Sequence, residues 1–245
     1  MIIDIHAHLW APNHKVDKTT VLRTCELYNI DRVYISVLYS HYPDHAEIDL
    51  CNSLTLEFMK EQPDLVSGYV YVDPTHGNKL DVLQRGIENG MEGVKLWVAS
   101  KCDDYRVDPI AEKCMDYDIP VLVHAFHKAI GQLDHESTAE NVRCLALRYP
   151  KLKIIMAHMG GNVYHGLRCI ADLDNVCTDF SGTMIGTGDI NYALEVVGED
   201  RLLFGTDLPS GGRQCLAQVE GAELTKDQKD KIYYRNAKRI FGGIR

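Results

Sequence analysis

The chain is poor in basic charge: among its 245 residues, 26 Lys and Arg stand against 35 Asp and Glu, for a net charge of −9. That deficit argues against nucleic acid as a default partner and leaves a small molecule as the expected one. No apolar run approaches the ~20 residues of a membrane span, and no basic-then-apolar leader opens the chain, so a cytoplasmic protein away from membranes is expected. None of the eight cysteines forms a Cys-x-x-Cys pair, which reads as a reduced intracellular protein using cysteine as a small apolar residue. Also missing are the G-x-G-x-x-G and G-x-x-x-x-G-K turns that would cradle phosphates in an open nucleotide-binding sheet. No low-complexity stretch or Pro/Gly-rich linker divides the chain, so residues 1–245 read as one domain.

What is there is an alternation of short apolar runs and amphipathic segments. Runs at 2–5, 32–38, 65–72, 93–98, 120–124, 153–157, 175–178 and 201–205 read as buried strands. Between them, 19–29, 46–61 and 79–88 carry helical stripes, and Asp108-Pro109 reads as a cap with proline in the first turn. Further helix starts are read at a Ser137-x-x-Glu140 capping box, at Asp189, and at Thr225-x-x-Gln228. Eight strands, each followed by a segment that is or could be helical, favour a closed (β/α)8 TIM barrel over an open doubly wound sheet.

In such a barrel, chemistry sits at the carboxyl ends of the strands. Strand one ends in His6 and His8, which alternation places on one face, about 7 Å apart along the strand, together with Asp4, one step deeper and read only as a supporting or packing residue. Strand four offers Lys95 and, on the same side, Trp97; strand five His124; strand six His158; strand seven Asp179 and Ser181; strand eight Asp207. Singly, each has an ordinary explanation: a hydrogen-bonded rim histidine, a turn-starting aspartate, a lysine snorkelling to the mouth. Jointly, four histidines and an aspartate converging on one axis read as a metal site. His14, His41, His45, His76, His135 and His165 fall in loops or near helix ends and read as solvated, with His127 toward the rim.

These residues, together with Gly93-Val-Lys95-Leu96, Met156-Ala-His158-Met-Gly160-Gly161, Asp179-Phe-Ser181-Gly182, Phe204-Gly-Thr-Asp207-x-Pro209 and Asn236-Ala-x-Arg-x-Phe241, resemble the amidohydrolase superfamily, in its amidohydrolase 2 branch. The resemblance spans the chain in order. It implies a metal-dependent barrel enzyme from a branch of hydrolases, a lactonase, hydratases and non-oxidative decarboxylases. It assigns His6, His8, His124 and Asp207 to one divalent ion, Zn²⁺ first, with Mn²⁺, Fe²⁺ or Co²⁺ as alternatives. Asp207 becomes the general base on a metal-activated water, and His158 polarises the substrate carbonyl or protonates the leaving group. A carboxylated Lys95 would bring a second metal. Otherwise its ammonium, with Trp97 and with Arg213 or Lys128, binds a substrate carboxylate. The expected reaction is hydrolysis of a small amide, ester or lactone. The alternative is a lyase, decarboxylase or hydratase, on a small carboxylic acid; a TatD-like nuclease and an inactive metal-binding barrel rank lower. Tyr233 and Tyr234, read as exposed, would suit a homodimer.

Overall fold

The computed structural model describes residues 1–182, 186 and 188–242. Eight strands run in sequence order, each parallel to the next: β1 (Ile3–Trp10), β2 (Arg32–Leu38), β3 (Val66–Tyr71), β4 (Gly93–Leu96), β5 (Val121–Val123), β6 (Ile154–Met156), β7 (Val176–Asp179) and β8 (Leu202–Leu203). The ring closes between β8 and β1: Ile5 N–H donates to the Phe204 carbonyl at 3.0 Å, Asp207 N–H to the His6 carbonyl at 2.7 Å, and His8 N–H to the Leu208 carbonyl at 2.7 Å. This is the expected TIM barrel. No helix among the described residues is long and apolar enough to cross a membrane.

The helices are α1 (His14–Tyr28), α2 (His45–Glu61), α3 (Lys79–Glu88), α4 (Asp108–Asp116), α5 (Ala139–Arg148), α6 (Val163–Cys169), α7 (Asp189–Val197), α8 (Arg213–Gly221), α9 (Lys226–Asp230) and α10 (Asn236–Ile240). A π-helical turn, Lys231–Arg235, joins the last two. Short α6 and α8 lacked a long apolar stripe and escaped the sequence reading. Asp108 and Asp189 are first helical residues rather than caps, and the α5 box is Thr138 with Asn141, one residue on from Ser137 and Glu140. Ser137 Oγ is engaged elsewhere, accepting from Cys102 N–H at 2.9 Å.

Ile3, Ile5, Tyr34, Tyr69, Leu122, Ile155, Cys177 and Leu203 form an interior cluster contributed by seven of the strands. Phe241 stacks on Tyr34 with ring centroids 4.0 Å apart. Asn236 Nδ2 donates to the Glu199 and Leu202 carbonyls at 2.8 Å, tying the last helix to the start of β8. Tyr233, expected outside, is buried: its ring meets Phe204 edge-on at 5.4 Å and its hydroxyl donates to Glu220 at 2.7 Å. Tyr234 also packs on the core, which removes the basis for reading these two as a dimer surface.

β1 runs to Trp10, well past residue 5, because His6 and His8 are themselves strand residues. Its pairing with β2 shifts register between Asp4 and Ala7, a bulge that breaks simple alternation. Asp4 therefore leaves the histidines' face, and keeps the supporting, packing role expected of it. Its carboxylate accepts from the N–H of His6 (3.1 Å) and Thr206 (3.0 Å) and from the Thr206 hydroxyl (2.5 Å), clamping β1 to the segment after β8. Burial pushes this carboxyl up to about 7.

The turn after β6 depends on one close approach. A Cβ at Gly166 of α6 would overlap the Met159 carbonyl oxygen, so only glycine lets α6 pack beneath the turn that carries His158. Gly166→Ala is expected to cost more than about 2 kcal/mol of unfolding free energy by urea denaturation, from overpacking against rigid backbone; a cost below about 0.5 kcal/mol would contradict this packing.

Candidate active site

His6 and His8 come from β1, Lys95 from β4, His124 from just beyond β5, and Asp207 from beyond β8. His158 lies in the 3₁₀ turn after β6 with φ 60°, next to Met159 at 49°; Asp207 has φ 58°. Left-handed backbone in non-glycine residues is strained. Local bonds enforce it: His158 N–H donates to Asp179 Oδ1 at 3.1 Å, and Asp207 is pinned through its N–H to His6. At Gly205, any Cβ would press on His6 and Asp179.

Each ring is oriented by an acceptor on its outer nitrogen. His6 Nδ1 donates to Asp179 Oδ2 at 2.9 Å, and His8 Nδ1 to Ser36 Oγ at 2.8 Å, with the Ser36 carbonyl at 3.2 Å. His158 Nδ1 donates to the Ser181 carbonyl at 3.0 Å, and His124 Nε2 to Glu136 Oε1 at 2.9 Å. These tautomers are assigned from the surrounding acceptors. They leave His6 Nε2, His8 Nε2, His158 Nε2 and His124 Nδ1 without protons. The bare nitrogens face one another, 3.0 Å between His6 and His8 and 3.2 Å between His158 and His124. Asp207 Oδ1 lies 3.8 Å from His6 Nε2 and 3.5 Å from His8 Nε2.

Titration behaviour agrees with that inventory. Burial, followed by the nearby Lys95 charge, lowers His6 and takes His8 well below the ordinary histidine range; burial takes His124 down to about 3. All three are neutral bases. Burial would raise Asp179, but His6, His158 and Ser181 outweigh it and hold the carboxyl well below the usual range. Burial likewise opposes Glu136, which hydrogen bonds from His124 and Lys128 bring down to about 2. Burial pulls the Lys95 ammonium down to about 8 against the attraction of Asp207 and Asp179.

Four bare imidazole nitrogens and a carboxylate in a buried cluster, met by one ammonium, are short of positive charge. Each unsatisfied buried acceptor costs about 1–3 kcal/mol. Two donors on one divalent ion, each about 2.1 Å away, stand about 3.0–3.4 Å apart. The His6–His8 spacing of 3.0 Å matches that pattern, and Asp207 Oδ1, at 3.5 and 3.8 Å from the two rings, lies within about 0.4 Å of it, so the residues fit a metal. His6, His158 and Asp207 also offer ligand atoms all within 4.8 Å of one another. His124, expected among the first ligands, meets the cluster through His158. Lys95 Nζ sits 3.1 Å from His6 Nε2.

The cluster opens into a cavity of about 280 Å³ walled by Trp10, Leu38, His41, Trp97 and Leu133. Trp97 thus lines the site as expected, its ring edge-on to Trp10 at 5.6 Å. A larger cleft of about 550 Å³ lies between α7 and α8, but it gathers none of these groups. Arg213 is a correction: it is exposed at the start of α8, donates to the Tyr28 hydroxyl at 3.0 Å, and lines a different cleft. Lys128 reaches the rim, with its ammonium engaged by Glu136 at 2.7 Å. His41, read as solvated, lies against Trp97 with centroids 5.1 Å apart. Glu136 and Ser36 were missed. Glu136 sits in a polar loop beside Asp134 with nothing to single it out, and Ser36 is one small residue in an apolar strand.

Three comparisons place the chain among known proteins. A family model described as amidohydrolase matches residues 3–243. In structure the chain is similar to a 2,6-dihydroxybenzoate decarboxylase from Rhizobium, at TM-score 0.79 and 18% identity over 98% of both chains. It is similar to a dihydroxybenzoic acid decarboxylase from Polaromonas, solved with bound manganese and 2-nitroresorcinol, at TM-score 0.77 and 18% identity over 98% and 96% of the chains. A 4-oxalomesaconate hydratase from Rhodopseudomonas palustris matches at TM-score 0.74 and 19% identity over 99% and 96%. Among curated sequences, terpene synthase 1 of Physarum polycephalum is 25% identical over 139 residues, which is 49% of this chain and 38% of that protein.

If Asp179 fixes the His6 tautomer, Asp179→Asn weakens metal retention about 10- to 100-fold while the fold survives. Chelator competition on the purified variant measures this; unchanged affinity would show that Asp179 has no such role.

Proposed function

Because the chain belongs to the amidohydrolase family, we propose that it binds one divalent metal ion and hydrolyses an amide, ester or lactone bond in a small, flat, carboxylate-bearing molecule. The observation that carries this reading is the set of inward-facing bare bases at the floor of an aromatic-walled cavity. His6, His8 and Asp207 would hold the ion, with His158 and His124 beside them. When bound, the ion polarises a substrate oxygen and acidifies water.

The protein's own groups do the rest. Asp207 is the general base: its carboxylate stands at the cavity, 23% exposed, where it can take a proton from the attacking water and return it to the leaving group. His158, whose Nδ1 is engaged by the Ser181 carbonyl, turns its Nε2 toward that water as a hydrogen-bond acceptor and orients it. Lys95, fully buried behind the cavity wall and 3.1 Å from His6 Nε2, would be the cation that draws the substrate's negative end toward the cluster. Its position against His6 favours an uncarboxylated amine and a single ion. Trp10 and Trp97 flatten the cavity and exclude water from its sides. The ion is zinc on the chemistry of imidazole and carboxylate donors; manganese is the alternative, since a structural neighbour carries it.

A second reading, a lyase, is favoured by the neighbours named for decarboxylation and hydration. The same cluster would then grip a substrate carboxylate, with Asp207 delivering a proton to carbon.

Two panels separate these readings: small esters, lactones and amides, and the parent acids scored for CO₂ release or hydration. Hydrolytic turnover should vanish on chelation, return with Zn²⁺ or Mn²⁺, and fall about 10²- to 10⁴-fold in Asp207→Asn. CO₂ release or hydration without hydrolysis would select the lyase. Full activity in Asp207→Asn would remove Asp207 from the chemistry.

A further inference from the structure

A second group of ligand-type side chains lies on the outer surface, between α5 and α6. His165 and Cys169 are one helical turn apart on α6, on one face. Glu140 stands opposite, in the first turn of α5. His165 Nε2 is 2.5 Å from Glu140 Oε1 and 3.5 Å from Cys169 Sγ, and the three ligand atoms lie within 4.8 Å of one another. A fourth ring comes from the loop after β5: His127 faces His165 with centroids 5.9 Å apart and planes at 55°. The His127 backbone is fixed, its N–H donating to the Gly160 carbonyl at 2.9 Å.

We propose that Glu140, His165 and Cys169, with His127 completing the set, form a second metal site for a borderline divalent cation such as Zn²⁺, separate from the active centre. The geometry is close to what such an ion needs. With Zn–N near 2.1 Å and Zn–S near 2.3 Å, a tetrahedral site sets N and S about 3.6 Å apart, against the 3.5 Å found. Glu140 has to withdraw by less than about 1 Å to reach ligand spacing, and its side chain is 52% exposed. Two imidazoles bound to one tetrahedral ion have centroids about 5.2 Å apart. The His127–His165 pair, at 5.9 Å, is wider than this, so His127 has to swing inward to complete the set; the rings in the active centre stand at 4.9 to 5.1 Å.

The supporting bonds hold the donors in register. Arg143 donates to the Cys169 carbonyl at 2.8 Å and also pairs with Asp172. The Thr138 hydroxyl takes the other Glu140 oxygen at 2.6 Å, leaving Oε1 for the site. A plain ion pair between His165 and Glu140 accounts for two of these groups but gives no role to the thiol or to His127. On binding, the Cys169 thiol loses its proton to solvent as the metal–sulfur bond forms, and no electron is transferred. An ion here would staple the loop after β5 to α6. That loop carries Phe126, which lies against His124 and His158 with centroids 6.2 and 5.6 Å away.

The test is cobalt titration of the metal-stripped full chain, followed in the near ultraviolet. The active centre offers only nitrogen and oxygen, so a thiolate-to-cobalt charge-transfer band reports the outer site alone. The band should saturate at one ion per chain, disappear in Cys169→Ser, weaken in His165→Ala and persist in Cys144→Ser. Absence of the band in the unaltered protein at saturating cobalt would overturn the proposal, whatever the variants do. So would a band that survives Cys169→Ser. Either result leaves the reading of the active centre standing, because that reading rests on other residues and other donor atoms.

Discussion

The site depends on how the outer nitrogens of its histidines are spent. Asp179, Ser36, Ser181 and Glu136 each engage one nitrogen of one ring. The inner nitrogens are left bare and aimed at one another. In a buried setting that arrangement is unfavourable by itself and becomes favourable around a cation. Asp179 is central to it, because its two oxygens serve His6, the backbone of His158 and the Ser181 hydroxyl together. One ionised carboxylate thereby couples strand one to the turns after strands six and seven.

Closure of the barrel and construction of the site are the same event. The hydrogen bonds that join β8 to β1 run through His6 and His8, which carry ring nitrogens of the cluster, and through Asp207, which carries its carboxylate. Asp4 strengthens that seam from behind by binding the N–H of His6 and both polar groups of Thr206. Residues some 200 positions apart in sequence reach contact because the eighth strand is neighbour to the first. The strained φ values at His158 and Asp207 fit this picture, since the seam and Asp179 over-determine both positions.

Much of this was legible in the sequence. Strands buried on both faces advertise themselves as apolar runs, and a polar residue ending such a run stands out, which is how His6, His8, Lys95, His124, His158 and Asp207 were singled out as candidates. What failed has physical reasons. The bulge in β1 cannot be read from alternation, and it separated Asp4 from the histidines. Arg213 follows the right strand, but α8 begins at that residue and carries its side chain outward toward Tyr28. Tyr233 looked like a surface aromatic, although the helix turns it onto Phe204. Glu136 and His41 reach the site from loops, where side-chain direction follows the path of the chain rather than a period.

The central claim is that one ion sits among His6, His8 and Asp207, with Lys95 ending in a free amine. Anomalous diffraction at the metal's absorption edge, on protein purified without chelator, tests it most directly. The account predicts a single peak inside the barrel, within about 2.0–2.2 Å of His6 Nε2, His8 Nε2 and Asp207 Oδ1, and unmodified density at Lys95. Two peaks bridged by a carbamate on Lys95, or no peak within reach of these three atoms, would contradict it.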